Sequence, residues 1–424
     1  MPSSSSKARR ALTLAAAASA VLAASSEARA SNPNCSALPG TILYGAGGSA
    51  QQPLLAQIGT QLAKLASPIS VVYSDSGSAC AGYQDLVTPT SISGTALYWD
   101  GSGATLTCVL DPGGDPVTFA VMGNAPNLCS GVTGLAAGFG QFLGSVQAID
   151  FIVPASSSQQ SISTEAAYYI WGFDASDANH TVSPWSTPAN VFTRSAASFI
   201  TVFAALDTGI PAATIAAHGT QETTNGATVT ALNALNGTAD VDTGIGFVSG
   251  EVADGNRGEV KVLAYQHTGQ SCGYWPDSTK DAFDKVNIRS GQYWLWSPVH
   301  FYAAVDTSNH ITDANTASFI GLFTGATTAP AGVDVFNAEA GAYTVPRCAM
   351  QAWRDGDLAP LYSSAPAEPC SCKFDFATKN ANKPATCTQC TSDAGCGTHH
   401  CRNIGPPLDP DAGTSTNVGY CEVN

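Results

Sequence analysis

Two glycine–serine turns carry the residue types that an anion site needs. Gly47-Gly48-Ser49 and Gly77-Ser78 each follow a short apolar run, and each opens onto a helical pattern. Glycine lets a backbone approach a ligand closely and serine caps a helix. Such a turn therefore presents peptide N–H groups, a hydroxyl and the positive end of a helix dipole. Arg194, in Phe192-Thr193-Arg194-Ser195-Ala196-Ala197-Ser198, is one of very few basic residues between 65 and 256. A guanidinium supplies paired, charge-assisted hydrogen bonds. Many donors and one full charge are what capture of a buried oxyanion requires. Each residue also has a plainer reading: Ser49 and Ser78 as helix caps alone, and Arg194 as a surface partner of Asp207 or Glu222. Asp100, in Trp99-Asp100-Gly101, reads most simply as a turn residue.

Other chemistry has weaker support. Gly45-x-Gly47-x-x-Ala50, with Asp75 ending the next strand, also satisfies the dinucleotide fingerprint, which leaves an exported oxidoreductase as one alternative. No His-Glu-x-x-His or Gly-Lys phosphate loop occurs, so metalloprotease and nucleotide-hydrolysing readings lack a motif. The expectation is a non-enzyme with no catalytic residue, cofactor or metal. Tyr293, Trp294, Trp296, His300 and Phe301 read as core and hinge packing rather than a sugar platform.

These residues sit in a chain of 424 residues, 44% apolar and 12% charged, with a net charge of −15. That length exceeds what one hydrophobic core needs and predicts two lobes or domains. The composition excludes a coiled coil and disorder throughout. The acidic balance argues against nucleic-acid binding, because no basic stripe can displace counterions from phosphates.

Lys7, Arg9 and Arg10 precede an apolar run from Leu12 to Ala24, and Ala28-Arg29-Ala30 offers a small-x-small cleavage site. Residues 1–30 are read as a signal peptide, the run being shorter than the ~20 residues of a membrane span. The mature chain is expected to be exported, to periplasm or extracellular space, with no transmembrane segment. All 13 cysteines follow the leader, and in an exported protein they read as disulfides. Cys108–Cys129 and Cys272–Cys348 are the expected pairs in the body, and the odd total leaves one cysteine over. Cys387-Thr388-Gln389-Cys390 with His399, His400 and Cys401 has ligand types suited to zinc, with disulfides the stronger reading.

Along the body, strand-like 41–44 precedes a helix marked by Leu54, Leu55, Ile58, Leu62 and Leu65 at three- and four-residue spacing. Strand 69–73 and a short helix near 83–87 follow, which is an α/β opening. A hairpin region spans 99–116, and extended segments 149–154 and 260–265 flank a central block as two hinge strands would. After Tyr362 the large aliphatics thin out and cysteines crowd in.

Ile42-Leu43-Tyr44-Gly45-Ala46-Gly47-Gly48-Ser49, Tyr73-Ser74-Asp75-Ser76-Gly77-Ser78, the stretch from Ile149 to Gly172 and the stretch from Gly244 to Asp254 resemble the periplasmic phosphate-binding proteins of ABC importers. The resemblance covers roughly 40–360 and implies an α/β, two-lobed type II periplasmic-binding-protein fold with two hinge crossings. It places lobe 1 at about 31–150 and 265–362, lobe 2 at about 151–264, and leaves 363–424 as a disulfide-rich appendix. It implies a small anion, phosphate above others, held by Gly48, Ser49, Ala50, Ser78, Arg194, Ser195 and Ser198, with an ABC permease as partner. This chain departs from the family in two places. Ser195-Ala196-Ala197-Ser198 replaces a glycine-serine-glycine-threonine turn. Ser93-Gly94-Thr95-Ala96 lacks the aspartate that accepts a phosphate proton, with Asp75 and Asp100 nearby but off register. An envelope or surface interaction protein that keeps the fold without transport is the alternative.

Overall fold

The computed structural model describes residues 32–75, 78–88, 91–175, 177–378, 387–408 and 417–422. The expected leader, and Gly77 of the second turn, lie outside them. The chain opens with β1 (Thr41–Gly47), α1 (Gln52–Leu62), β2 (Ile69–Asp75) and α2 (Ala79–Val87). Helix α1 carries Pro53 as its second residue, where a fixed φ suits the first turn, and buries Leu54, Leu55, Ile58 and Leu62 along one face. The hairpin β3 (Thr95–Trp99) and β4 (Thr105–Val109) precedes β5 (Phe119–Met122), and β6 (Phe139–Pro154) is the longest strand described.

Strand β1 pairs in parallel with β2 on one side and with β5 on the other. Parallel strands covered on both faces read as continuous apolar runs, as Val71, Val72 and Tyr73 show by their full burial. Because β1 leads to β2 on one flank and lies beside β5 on the other, a crevice opens at the carboxyl ends of these strands, where α/β sheets bind ligands.

The second half of the molecule carries β7 (Ser161–Ser163), α3 (Thr164–Gly172), β8 (Phe192–Thr193), α4 (Phe199–Thr208), α5 (Ala212–Ala217), β9 (Thr220–Gln221) and α6 (Asn225–Asn233). It continues through β10 (Gly246–Ser249), α7 (Gly250–Gly255), β11 (Val260–Val262) and β12 (Ala264–Gln266). After α8 (Val286–Arg289), β13 (Trp296–Ala304) returns to the first half, followed by α9 (Ala314–Thr324) and α10 (Val335–Gly341).

Strand β6 joins the two halves. Its first part pairs antiparallel with β13 up to Ala148, and its last part pairs antiparallel with β10 and β11 from Ile149 to Pro154. The described sheet runs β10-β6-β13-β5-β1-β2-β3-β4, with β11 also on β6. The arrangement is mixed α/β, with the two halves sharing one sheet through β6. The first expected crossing is where the sequence put it. The second is not: residues 260–262 ladder onto β6 within the second lobe, and the return crosses at Leu295 and Trp296. There the Ile149 N–H donates to the Leu295 carbonyl at 3.0 Å. Both segments are extended and apolar, so composition does not tell them apart. Tyr293, Trp296, His300 and Phe301 are buried here, as core and hinge packing.

The disulfides correct both expected pairs. Cys108 bonds Cys35 and Cys129 bonds Cys80, while Cys348 bonds Cys370 and Cys272 is free and exposed. The first expectation assumed that neighbours in sequence pair. Instead Cys35–Cys108 ties the start of the body to the hairpin, and Cys80–Cys129 ties the first turn of α2 to a loop. In the tail Cys372–Cys387, Cys390–Cys401 and Cys396–Cys421 close around short strands Gln389–Cys390, His400–Gly405 and Val418–Glu422. The sulfurs of Cys390, Cys396 and Cys401 lie close together, but each is already in a disulfide and offers a metal no thiolate. The compositional change at 363 is not a break in packing. Helix α11 (Ser371–Ala377) buries Phe374 in the main core, and its Asp375 pairs with Arg289 at 2.6 Å.

Candidate functional site

At the carboxyl end of β1 the chain turns through Gly48 and enters a short 3-10 turn, Ser49–Gln51, that feeds α1. The buried Tyr73 hydroxyl, one strand away on β2, donates to the Gly48 carbonyl at 2.7 Å and fixes the turn. Helix α2 presses directly on this strand end: a side chain on Gly82 would meet Gly47 N at 2.3 Å. Glycine at 47 and 82 is thus a packing requirement, and no dinucleotide is needed to explain it. Ser78 caps α2, its Oγ accepting from Ala81 N at 3.1 Å. The hydroxyl proton stays available to donate.

Helices α4 and α6 of the second lobe bring their own N-termini to the same place. Ser198 is the N-cap of α4 and makes no side-chain cap bond. Thr224 caps α6, and Asn225 is its first residue. Gly48, Ser49, Ala50, Ser78, Arg194 and Ser198 line a single cavity of ≈ 290 Å³, mouth included, together with Gln51 and Asn225. Ser195 does not line this cavity. Its carbonyl accepts the Ser198 N–H at 2.9 Å and shapes the turn into α4.

Arg194 is only 4% exposed. Its Nε donates to the Glu222 carbonyl at 3.0 Å, one terminal nitrogen to Asn225 Oδ1 at 2.9 Å and the other to the Thr223 carbonyl at 2.8 Å. Neither Asp207 nor Glu222 forms a side-chain ion pair with it. The guanidinium has five N–H donors, so these three bonds aim the group and leave two donors over. Burial pulls its pKa down from the ordinary value, while the Asp75 and Glu222 carboxylates oppose that shift. Asn225 Nδ2 in turn donates to Ser249 Oγ at 3.0 Å, which locks the amide that holds the arginine.

No acidic residue occupies the first turn of α1, α2, α4 or α6. Four helix N-termini and one guanidinium therefore converge on a small space whose described lining includes no carboxylate. Gln51, 1% exposed, adds a buried amide whose Oε1 has no partner, while its Nε2 reaches Gln147 Oε1 at 3.3 Å. Such a space suits a compact anion bound through N–H and O–H donors. Gln51 and Asn225 were not legible as site residues. The only hint at Asn225 is the Thr224-Asn225-Gly226 cap sequence. Asp100 is a turn residue as expected, its Oδ1 accepting from Ser102 N at 2.8 Å.

No protein-family model matches the chain, and no curated protein matches it significantly. Solved structures similar to it include an ABC-type phosphate transport receptor from Vibrio cholerae, 12% identical, covering 72% of this chain and 100% of that one at a TM-score of 0.44. A phosphate-binding protein from Stenotrophomonas maltophilia is 14% identical, with 72% and 90% covered and a TM-score of 0.40. The reduced OxyR regulatory domain from Pseudomonas aeruginosa is also similar, 8% identical, with 63% and 90% covered and a TM-score of 0.32. None of these similarities selects a ligand for this chain. Among the described residues no helix is long and apolar enough to cross a membrane.

Proposed function

We propose that this protein is an exported solute-binding protein that captures a small oxyanion, phosphate foremost, between its two lobes and delivers it to an ABC permease. One observation carries the reading: the N-termini of α1, α2, α4 and α6 meet at one cavity beside the buried Arg194, with no carboxylate in any of their first turns. The first lobe supplies Gly48, Ser49, Ala50 and Ser78, and the second supplies Arg194 and Ser198. An anion bound there draws the lobes together by rotation at Ala148–Asp150 and Leu295–Trp296. Six disulfides suit an oxidising compartment and support export.

A surface interaction module is the second reading. It is favoured by the three hydrogen bonds that already hold Arg194 inside its own lobe. Calorimetric titration of the ligand-stripped mature chain with phosphate, arsenate and sulfate separates the two. Saturable binding that weakens ~100-fold or more in Arg194→Ala, with an unchanged circular dichroism spectrum, supports capture of an oxyanion. No heat with any of the three anions overturns it in favour of the interaction module.

A further inference from the structure

The anion cavity does not end blindly. It shares Ser49 and Asn225 with a larger chamber, open to solvent and ≈ 890 Å³ with its mouth included, between the lobes, lined by Gln52, the exposed Asp75, Thr105 and Asn256 among others. No Lys, Arg or His is among the described residues that line that chamber, and Asp75 is its one charged group. Asp75 ends β2 and is the ladder partner of Gly47, the residue just before the anion turn. Adjacent strands lie about 4.8 Å apart, so the root of this carboxylate is one strand spacing from the turn that would hold the anion. Its Oδ2 accepts from Gln52 Nε2 at 2.8 Å, which orients the group.

An inorganic oxyanion in the cavity would lie in the field of Asp75, whose carboxylate also acts on Arg194. A ligand with negative charge at one end and positive charge at the other meets both walls favourably. A diphosphate would put its second anionic group against Asp75 and is disfavoured. We propose that the preferred ligand is a zwitterionic organophosphate, a phosphate monoester or phosphonate with a short ammonium-bearing tail. Its phosphoryl group sits at Arg194 and the four helix N-termini, and its tail enters the neighbouring chamber to face Asp75. This rests on the oxyanion-capture reading and adds to it the class of ligand.

The test is competitive calorimetry on the full mature chain with inorganic phosphate, phosphoethanolamine, glycerol 3-phosphate and pyrophosphate. Phosphoethanolamine is expected to bind about tenfold or more tightly than either inorganic phosphate or glycerol 3-phosphate, as a charge-assisted contact implies. Pyrophosphate is expected to bind weakest. Asp75→Asn should abolish the preference for phosphoethanolamine and tighten inorganic phosphate, while Asp75→Glu should restore part of the preference. If inorganic phosphate binds as tightly as phosphoethanolamine, or loses affinity in Asp75→Asn because that carboxylate accepts its proton, this inference falls and oxyanion capture stands. If none of the four probes binds, both fall together.

Discussion

The pocket under Arg194 and the hinge beside Asp150 both bury charge, and they are unbalanced in opposite directions. The pocket has four helix N-termini and a guanidinium but no carboxylate in those first turns. The hinge has four buried acids, Asp150, Glu251, Asp254 and Asp277, against two cations, Arg257 and Lys285. Lys285 Nζ reaches Asp254 at 2.5 Å and Asp277 at 2.9 Å, and Arg257 pairs with the same two acids. That leaves Asp150, whose Oδ1 accepts from the Tyr293 hydroxyl at 3.1 Å, and Glu251 without a cation of their own. Asp150 Oδ2 has no hydrogen-bond partner, and at Glu251 only the Ser249 side chain and its own backbone oppose the cost of burial. Burial, reinforced by Asp254, pushes Asp150 up to about 7, and burial pushes Glu251 up to about 8. A region short of anions awaits a ligand, whereas a region short of cations takes up protons. The same low-dielectric cost is met from solution in one case and from the solvent's protons in the other.

The largest expected effect comes from deepening the imbalance at the hinge. Lys285→Met leaves Arg257 alone against Asp254 and Asp277, and breaking such a buried pair costs about 3–5 kcal/mol. Urea unfolding at pH 7 should show that loss, and part of it should return at pH 5. If Lys285→Met is as stable as the parent, the cluster is not held by its charge balance.

Next in size is the pH dependence. Asp150 and Glu251 rise from ordinary values of 3.8 and 4.5 to about 7 and about 8. The folded chain therefore keeps protons that the unfolded chain has already released. The stability they contribute is full below the unfolded values, falls as pH climbs through the folded ones, and levels off above them. The slope is at most about 1.4 kcal/mol per pH unit for each group. Glu251→Gln should flatten the upper part of this fall and raise the melting temperature at pH 8.5. An unchanged profile would mean that Glu251 is charged in the fold.

Smaller effects probe the pocket side. Ser78→Ala removes the cap of α2 at a cost of about 1 kcal/mol. It should also weaken anion binding several-fold, since a donor hydroxyl goes with it. A loss of stability alone would reduce Ser78 to its cap role. The smallest effect is at Cys272. A thiol-specific reagent should find one reactive thiol per native chain, and Cys272→Ser should change stability by less than about 0.5 kcal/mol.

The pocket was legible in the sequence to the extent that its chemistry is local. A glycine–serine turn before a helix, and one arginine in a stretch poor in charge, carry their meaning in residue type and immediate neighbours. The structure brings six of the seven expected residues around one cavity, and only Ser195 stands off it. What depends on the fold was not legible. Cys80 and Cys129 are 49 residues apart and meet because α2 packs over β1. Gln51 and Asn225 are amides inside helical segments, where nothing separates a site residue from a surface one. The hinge acids are scattered from 150 to 277, and only the pairing of β6 with β10, followed by α7, brings them together. The return crossing at Leu295–Trp296 was hidden because Val260–Tyr265 is just as extended.

The most direct test is to locate the anion itself. Crystals of the mature chain soaked in tungstate, a tetrahedral oxyanion with strong anomalous scattering, should show one principal peak within hydrogen-bond reach of Ser49, Ser78 and Arg194, and crystals of Arg194→Ala should lose it. A principal peak elsewhere, or one that persists in Arg194→Ala, would contradict the assignment of this pocket as the anion site.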